Sequence, residues 1–179
     1  MAVARLGDGN VIATDIDEIA VETAKYNFSK LLERDSDYQS ASKYYFAHIS
    51  YQLKNYQSSL KWFNDLRNDK KFKNIVPYYI AQTYYFLEEY DELVEYLEPI
   101  INDVVESRRI EVNRLLGGAF YRLKNYLSAV KYLKVFHDES TNASDHELFM
   151  IGFSNYQISD YLLAVDYLKQ ITIDNSRLA

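Results

Sequence analysis

The stretch SYQLKNYQSSLKWF, residues 50–63, returns 70 residues later as FYRLKNYLSAVKYL, residues 120–133, and both contain LKNY. With this tetrapeptide as a ruler, Tyr56, Tyr90, Tyr126 and Tyr161 fall into one column at spacings of 34, 36 and 35 residues. Nine residues before each tyrosine stands a small residue, namely Ala47, Ala81, Gly117 and Gly152, preceded by Phe46, Ile80, Leu116 and Ile151. After the tyrosine come Ser59, Leu93, Ala129 and Ala164, then Trp62, Tyr96, Tyr132 and Tyr167, then Phe63, Leu97, Leu133 and Leu168. Leu66, Ile100, Phe136 and Ile171 close the units. Offsets of three, four and seven between the columns are those of helix faces, and the break before each tyrosine is polar: Lys54-Asn55, Glu88-Glu89, Lys124-Asn125 and Ser159-Asp160.

Each unit therefore reads as helix, tight turn, helix. The small residue lets two helices approach, and the aromatic columns fill the space between neighbouring hairpins. A single hairpin has too little partner surface to bury these columns, whereas stacked copies bury one another's faces. The expected fold class is all-α, an α-α superhelix. Four units, about 40–73, 74–107, 110–143 and 145–178, form one continuous domain over 40–179, and a degenerate helical hairpin occupies 1–39. In that N-terminal segment Thr14 and Asp17 are placed to cap a helix through Ile19, Tyr26, Phe28, Leu31 and Leu32.

The pattern of a small residue, a tyrosine nine later, a small residue three further on and a large apolar residue four beyond that resembles the tetratricopeptide repeat. The resemblance implies a right-handed solenoid of antiparallel helix hairpins whose first helices line a concave, partner-binding groove. Leu93 departs from the pattern at the second small position, and the proline common near the end of each repeat is missing. Pro77 fits the first turn of a helix, where no N–H is needed. Pro99 falls inside a second helix and predicts a bend or an early end there. Ser144 and Glu147 have the spacing of a capping box.

Composition narrows the function. The 179 residues are 48% hydrophobic and 26% charged, a balance that folds, and 18 tyrosines dominate the aromatics. A net charge of −6 argues against nucleic acid as a partner. No apolar run approaches the length of a membrane helix, so no membrane insertion is expected. The absence of cysteine removes disulfides, thiolate metal sites and cysteine nucleophiles. Asp8, Asn10, Asp15, Asp17 and Glu18 imitate a calcium loop, but Ala13 and Ile19 stand where the turn glycine and the bidentate glutamate belong. His48, His137 and His146 are too scattered for a metal or nucleophile set. The reading is a protein that is not an enzyme and needs no cofactor and no metal.

Within each first helix, the positions lying −6, −3, +1, +4 and +5 from the small residue share one arc, and in the resembling family that arc lines the groove. It carries Tyr44, His48 and Tyr51 in the first unit, Tyr78, Gln82, Tyr85 and Phe86 in the second, Arg114, Tyr121 and Arg122 in the third, and Phe149, Phe153 and Tyr156 in the fourth. Tyrosine fills the +4 position every time. These rings either pack sideways against the next hairpin or form an aromatic ladder for a peptide or helix. Arg114 and Arg122 are either solvated or available to a partner carboxylate. The Lys and Asn set with which some grooves of this family hold a chaperone tail is not matched.

The partner class is thus protein or peptide. A different reading is a structural segment of a larger repeat protein. The Tyr-, Asn- and Lys-rich wording is similar to that of large bacterial envelope-associated repeat proteins, and the apolar flank Leu163, Leu168 and Ile171 would then drive homo-oligomer formation. Termination directly after the fourth unit reads as a fragment of a longer array. The compartment, whether periplasmic, envelope-associated or cytoplasmic, is left open.

Overall fold

The computed structural model describes residues 39–140 and 143–171, with the single positions 23, 26, 27 and 30. The described residues contain eight α-helices and no strand. They are α1 (Gln39–Gln52), α2 (Tyr56–Asp65), α3 (Val76–Phe86), α4 (Tyr90–Leu97), α5 (Glu106–Arg122), α6 (Tyr126–Glu139), α7 (Asp145–Gln157) and α8 (Tyr161–Leu168), and a 3-10 helix spans Glu98–Asp103. Consecutive helices pack as antiparallel hairpins, and α2 on α3, α4 on α5 and α6 on α7 join one hairpin to the next. Positions 23, 26, 27 and 30 are helical. The rest of the expected N-terminal hairpin, with Thr14, Asp17 and the acidic stretch Asp8–Glu18, lies outside the described residues.

One turn is written four times. Lys54, Glu88, Lys124 and Ser159 adopt φ of 59°, 59°, 60° and 67°, the left-handed conformation that a Schellman ending requires. The next residue's N–H bonds five residues back, Asn55 to Ser50, Glu89 to Tyr84, Asn125 to Phe120 and Asp160 to Asn155, at 2.8–3.0 Å. That residue is also the N-cap of the following helix: Asn55, Asn125 and Asp160 accept from the N–H of Ser58, Ser128 and Leu163. Glu89 makes no such side-chain bond. A left-handed residue followed at once by a cap reverses the chain with almost no loop.

The columns then close the core. Ala47, Ala81, Phe63, Leu97, Leu93 and Ala129 are fully buried. A Cβ built on Gly117 would lie 2.6 Å from Leu133 Cγ and 2.9 Å from the Leu133 backbone nitrogen, and one on Gly152 2.7 Å from Leu168 Cγ. Glycine is required at both because the helices of these hairpins touch there. Pro77 stands in the first turn of α3, and the Ser144–Glu147 capping box opens α7. Pro99 ends α4 after 8 residues and starts the 3-10 helix, whereas α6 in the corresponding place runs for 14.

Candidate partner-binding groove

The first helices α1, α3, α5 and α7 carry the predicted groove residues, whose exposure varies along the array, with Phe86 of α3 already 50% exposed. Toward the N-terminal end the rings interlock. Tyr44 stacks on Phe72 with centroids 4.7 Å apart, and His48 and Tyr51 meet Tyr79 edge-on at 5.3 and 5.7 Å. Tyr51 Oη donates to Gln82 Oε1 at 2.8 Å, and Gln82 Nε2 donates to Tyr78 Oη at 2.7 Å, so a polar chain ties α1 to α3. Burial, with neighbouring tyrosine hydroxyls adding to it, raises the pKa of Tyr44 and Tyr51, and burial lowers that of His48. Tyr78 departs from the expected groove position: it is buried, and the Arg108 guanidinium stacks on its ring at 4.5 Å.

The +4 tyrosines have a structural partner that the sequence spells as YxxxxY. Tyr51 meets Tyr56, Tyr85 meets Tyr90, Tyr121 meets Tyr126 and Tyr156 meets Tyr161, with centroids 5.9, 5.6, 6.3 and 5.7 Å apart. Each pair clasps the two helices of one hairpin across the Schellman turn. Three of the clasps also touch the following hairpin. Phe86 stacks on Tyr56 at 5.0 Å, Phe153 meets Tyr126 at 5.8 Å, and Tyr85 lies against Gly118, whose Cβ would fall 2.9 Å from the Tyr85 hydroxyl oxygen. Tyr51, Tyr85 and Tyr121 are therefore half-buried. Sideways packing, one of the two alternatives in the sequence, is what covers these rings.

Arg114 is engaged within the fold. Its Nε bonds Glu111 at 2.9 Å and its Nη1 lies 3.6 Å from Glu147 of α7. Burial pulls its pKa down, but the bond to Glu111 and the charges of Glu111 and Glu147 outweigh this and leave it raised. Arg122 is exposed. At the C-terminal end of the face the rings emerge. Phe149 and Tyr156 are 44% and 55% exposed, and Phe149 stacks on half-buried Phe153 at 5.8 Å, with Tyr156 6.4 Å from Phe153. Among the described residues no group of three or more His, Asp or Glu is placed to hold a metal, and no helix is long and apolar enough to cross a membrane.

Helix hairpins of this repeat length, with a shared turn and a small-residue contact, define a tetratricopeptide-type α-α solenoid. Solved structures with the same fold include MamA (residues 41-end) from Desulfovibrio magneticus RS-1, at 14% identity and a TM-score of 0.69, covering 84% of this chain and 83% of that one. PilF from Pseudomonas aeruginosa is similar at 16% identity and a TM-score of 0.66 over 90% of this chain and 70% of its own. A further MamA crystal structure matches at 12% identity and a TM-score of 0.67, covering 87% and 92%. No protein-family profile and no curated protein sequence matches the chain.

Proposed function

We propose that this protein is a non-catalytic interaction scaffold whose concave face binds a peptide or a helix of a partner protein, with Phe149, Phe153 and Tyr156 as its main anchors. The observation that carries this reading is a change of burial along two columns. In the −3 column Tyr44 lies beneath Phe72, Tyr78 beneath Arg108, and Arg114 in ion pairs, but Phe149 is open. In the +4 column Tyr51, Tyr85 and Tyr121 are half-buried and Tyr156 is exposed. Aromatic rings supply large contact area at low entropic cost, and three adjoining ones suit the apolar side of a helix or an extended segment. Likeness of fold to MamA and PilF agrees with a scaffold role.

Selection from a displayed peptide library tests it. Selected peptides should carry aromatic or aliphatic residues and lose at least about tenfold in affinity when Phe149, Phe153 and Tyr156 are replaced by Ala, with helical circular dichroism unchanged. Equal binding to the triple variant would remove the anchors from the groove.

The flank of α8 favours a second reading, stacking on another hairpin. Leu168 is 37% exposed whereas Leu133, its counterpart in α6, is 1% exposed, and Val165 is 45% exposed. In the interior of the array the next hairpin covers this flank. If a second copy or a further repeat covers it here, light scattering should show concentration-dependent association that Leu168→Glu abolishes.

A further inference from the structure

Pro99 does more than shorten α4. Where the helix stops, a cleft of about 660 Å³ opens, floored by Pro77, Tyr84, Tyr96, Pro99, Ile100 and Val104. Its two α3 residues lie four before and three after Ala81, roughly 140° around that helix from the groove arc at 100° per residue. The cleft and the concave groove share no lining residue.

Opposite charges rim the floor. Arg67 and Lys73, from the segment after α2, stand among its walls, as do Glu92 and Glu95 of α4 and Asp103 at the end of the 3-10 helix. All five are exposed, and none has an ion-pair partner among the described residues. Arg67 instead stacks its guanidinium 4.4 Å over the Tyr96 ring and donates to Asn64 Oδ1 at 2.8 Å. Tyr96 differs from its counterpart in the next repeat. One repeat later the equivalent hydroxyl, Tyr132 Oη, donates to Glu98 at 2.8 Å. Thirty-four residues before Glu98 stands Asn64, whose Oδ1 accepts from Arg67. Tyr96 Oη is buried without a hydrogen-bond partner. Burial pushes its pKa up to about 12, so it remains a donor in neutral solution.

We propose that this cleft is a second binding site, separate from the concave groove, for a short extended peptide segment in which one basic and one acidic side chain flank an apolar residue. The apolar side chain rests on the Tyr84 and Tyr96 rings. The basic group meets Glu92 and Glu95, and the acidic group meets Arg67 and Lys73. The volume lies within the range of sites that enclose small ligands, and unneutralised charges of both signs around one apolar floor select against neutral or singly charged occupants.

Three N-acetylated, C-amidated tripeptides, Lys-Leu-Glu, Glu-Leu-Lys and Gln-Leu-Gln, titrated into isotope-labelled protein provide the test. One of the charged orders should shift resonances of Tyr84, Tyr96 and Val104, bind about five- to tenfold more tightly than Gln-Leu-Gln, and weaken as salt is raised. The Glu92→Lys/Glu95→Lys variant should remove that preference. Equal binding of Gln-Leu-Gln, shifts confined to Phe149 and Phe153, or no shifts with any peptide at millimolar concentration would each overturn the proposal. The groove itself is tested separately by the Phe149, Phe153 and Tyr156 variant.

Discussion

The first and last hairpins are built from the same columns, yet Tyr51 and Tyr56 are half-buried in one and their counterparts Tyr156 and Tyr161 are exposed in the other. Around α1, Tyr44, His48 and Tyr51 are locked by Phe72, Tyr79 and Gln82, all supplied by the following segment and hairpin. Around α7 and α8, Phe149, Tyr156 and Tyr161 lack that cover and are 44%, 55% and 58% exposed. Burial in a solenoid is thus a property of the neighbour: the same residue type in the same column is half-buried where a following hairpin covers it and exposed where none does.

The glycine contacts should give the largest difference. Gly117→Leu forces a side chain into Leu133 and its backbone nitrogen and should destabilise by about 1–3 kcal/mol or more. Gly152→Leu should cost less, because Leu168 has open space to move into. Urea unfolding of both, with Lys124→Leu as a nearly neutral exposed control, measures the gap. Equal losses for the two glycines would mean that the last hairpin is as tightly held as the interior.

Next come the clasp tyrosines. Tyr51→Ala removes a ring that contacts Tyr56, Tyr79 and Phe86 and the hydroxyl that bonds Gln82, so we expect a loss of about 2 kcal/mol, with Tyr156→Ala costing under about 1. If Tyr156→Ala unfolds the protein equally, the exposed rings are structural and the groove proposal loses its anchors.

His48 sharpens the comparison through pH. Its folded pKa lies below the ordinary histidine value because burial disfavours the cation, so protons bind more readily to the unfolded chain. The contribution to stability is complete above the ordinary value, near 6.5, and declines as pH falls toward the lower folded value. His48→Phe should flatten the urea midpoint between pH 7 and 5 relative to wild type. An unchanged slope would show that His48 titrates as if exposed.

The smallest effect belongs to the turns. Lys124→Gly relieves a non-glycine residue at φ 60° but loosens the unfolded chain, leaving a net gain of at most about 1 kcal/mol in thermal unfolding. A loss would show that the lysine stem packs at the turn.

Much of this was legible in the chain. The columns dictated four hairpins, the positions of the polar turns and the small-residue contacts, and Pro99 announced a bend or an early end of α4, because periodicity and steric size are local properties that one sequence states directly. Even the clasp was written, as YxxxxY in YQLKNY, YFLEEY, YRLKNY and YQISDY. Other features were decided by tertiary structure alone. The groove arc of a helix says which side chains point one way, but whether Tyr78 lies under Arg108, whether Arg114 is already paired to Glu147, or whether Arg67 stacks on Tyr96 depends on residues 30 or so positions away. Those contacts are set by how far one hairpin is rotated on the next, and that rotation is a balance of many side-chain volumes that no single column records.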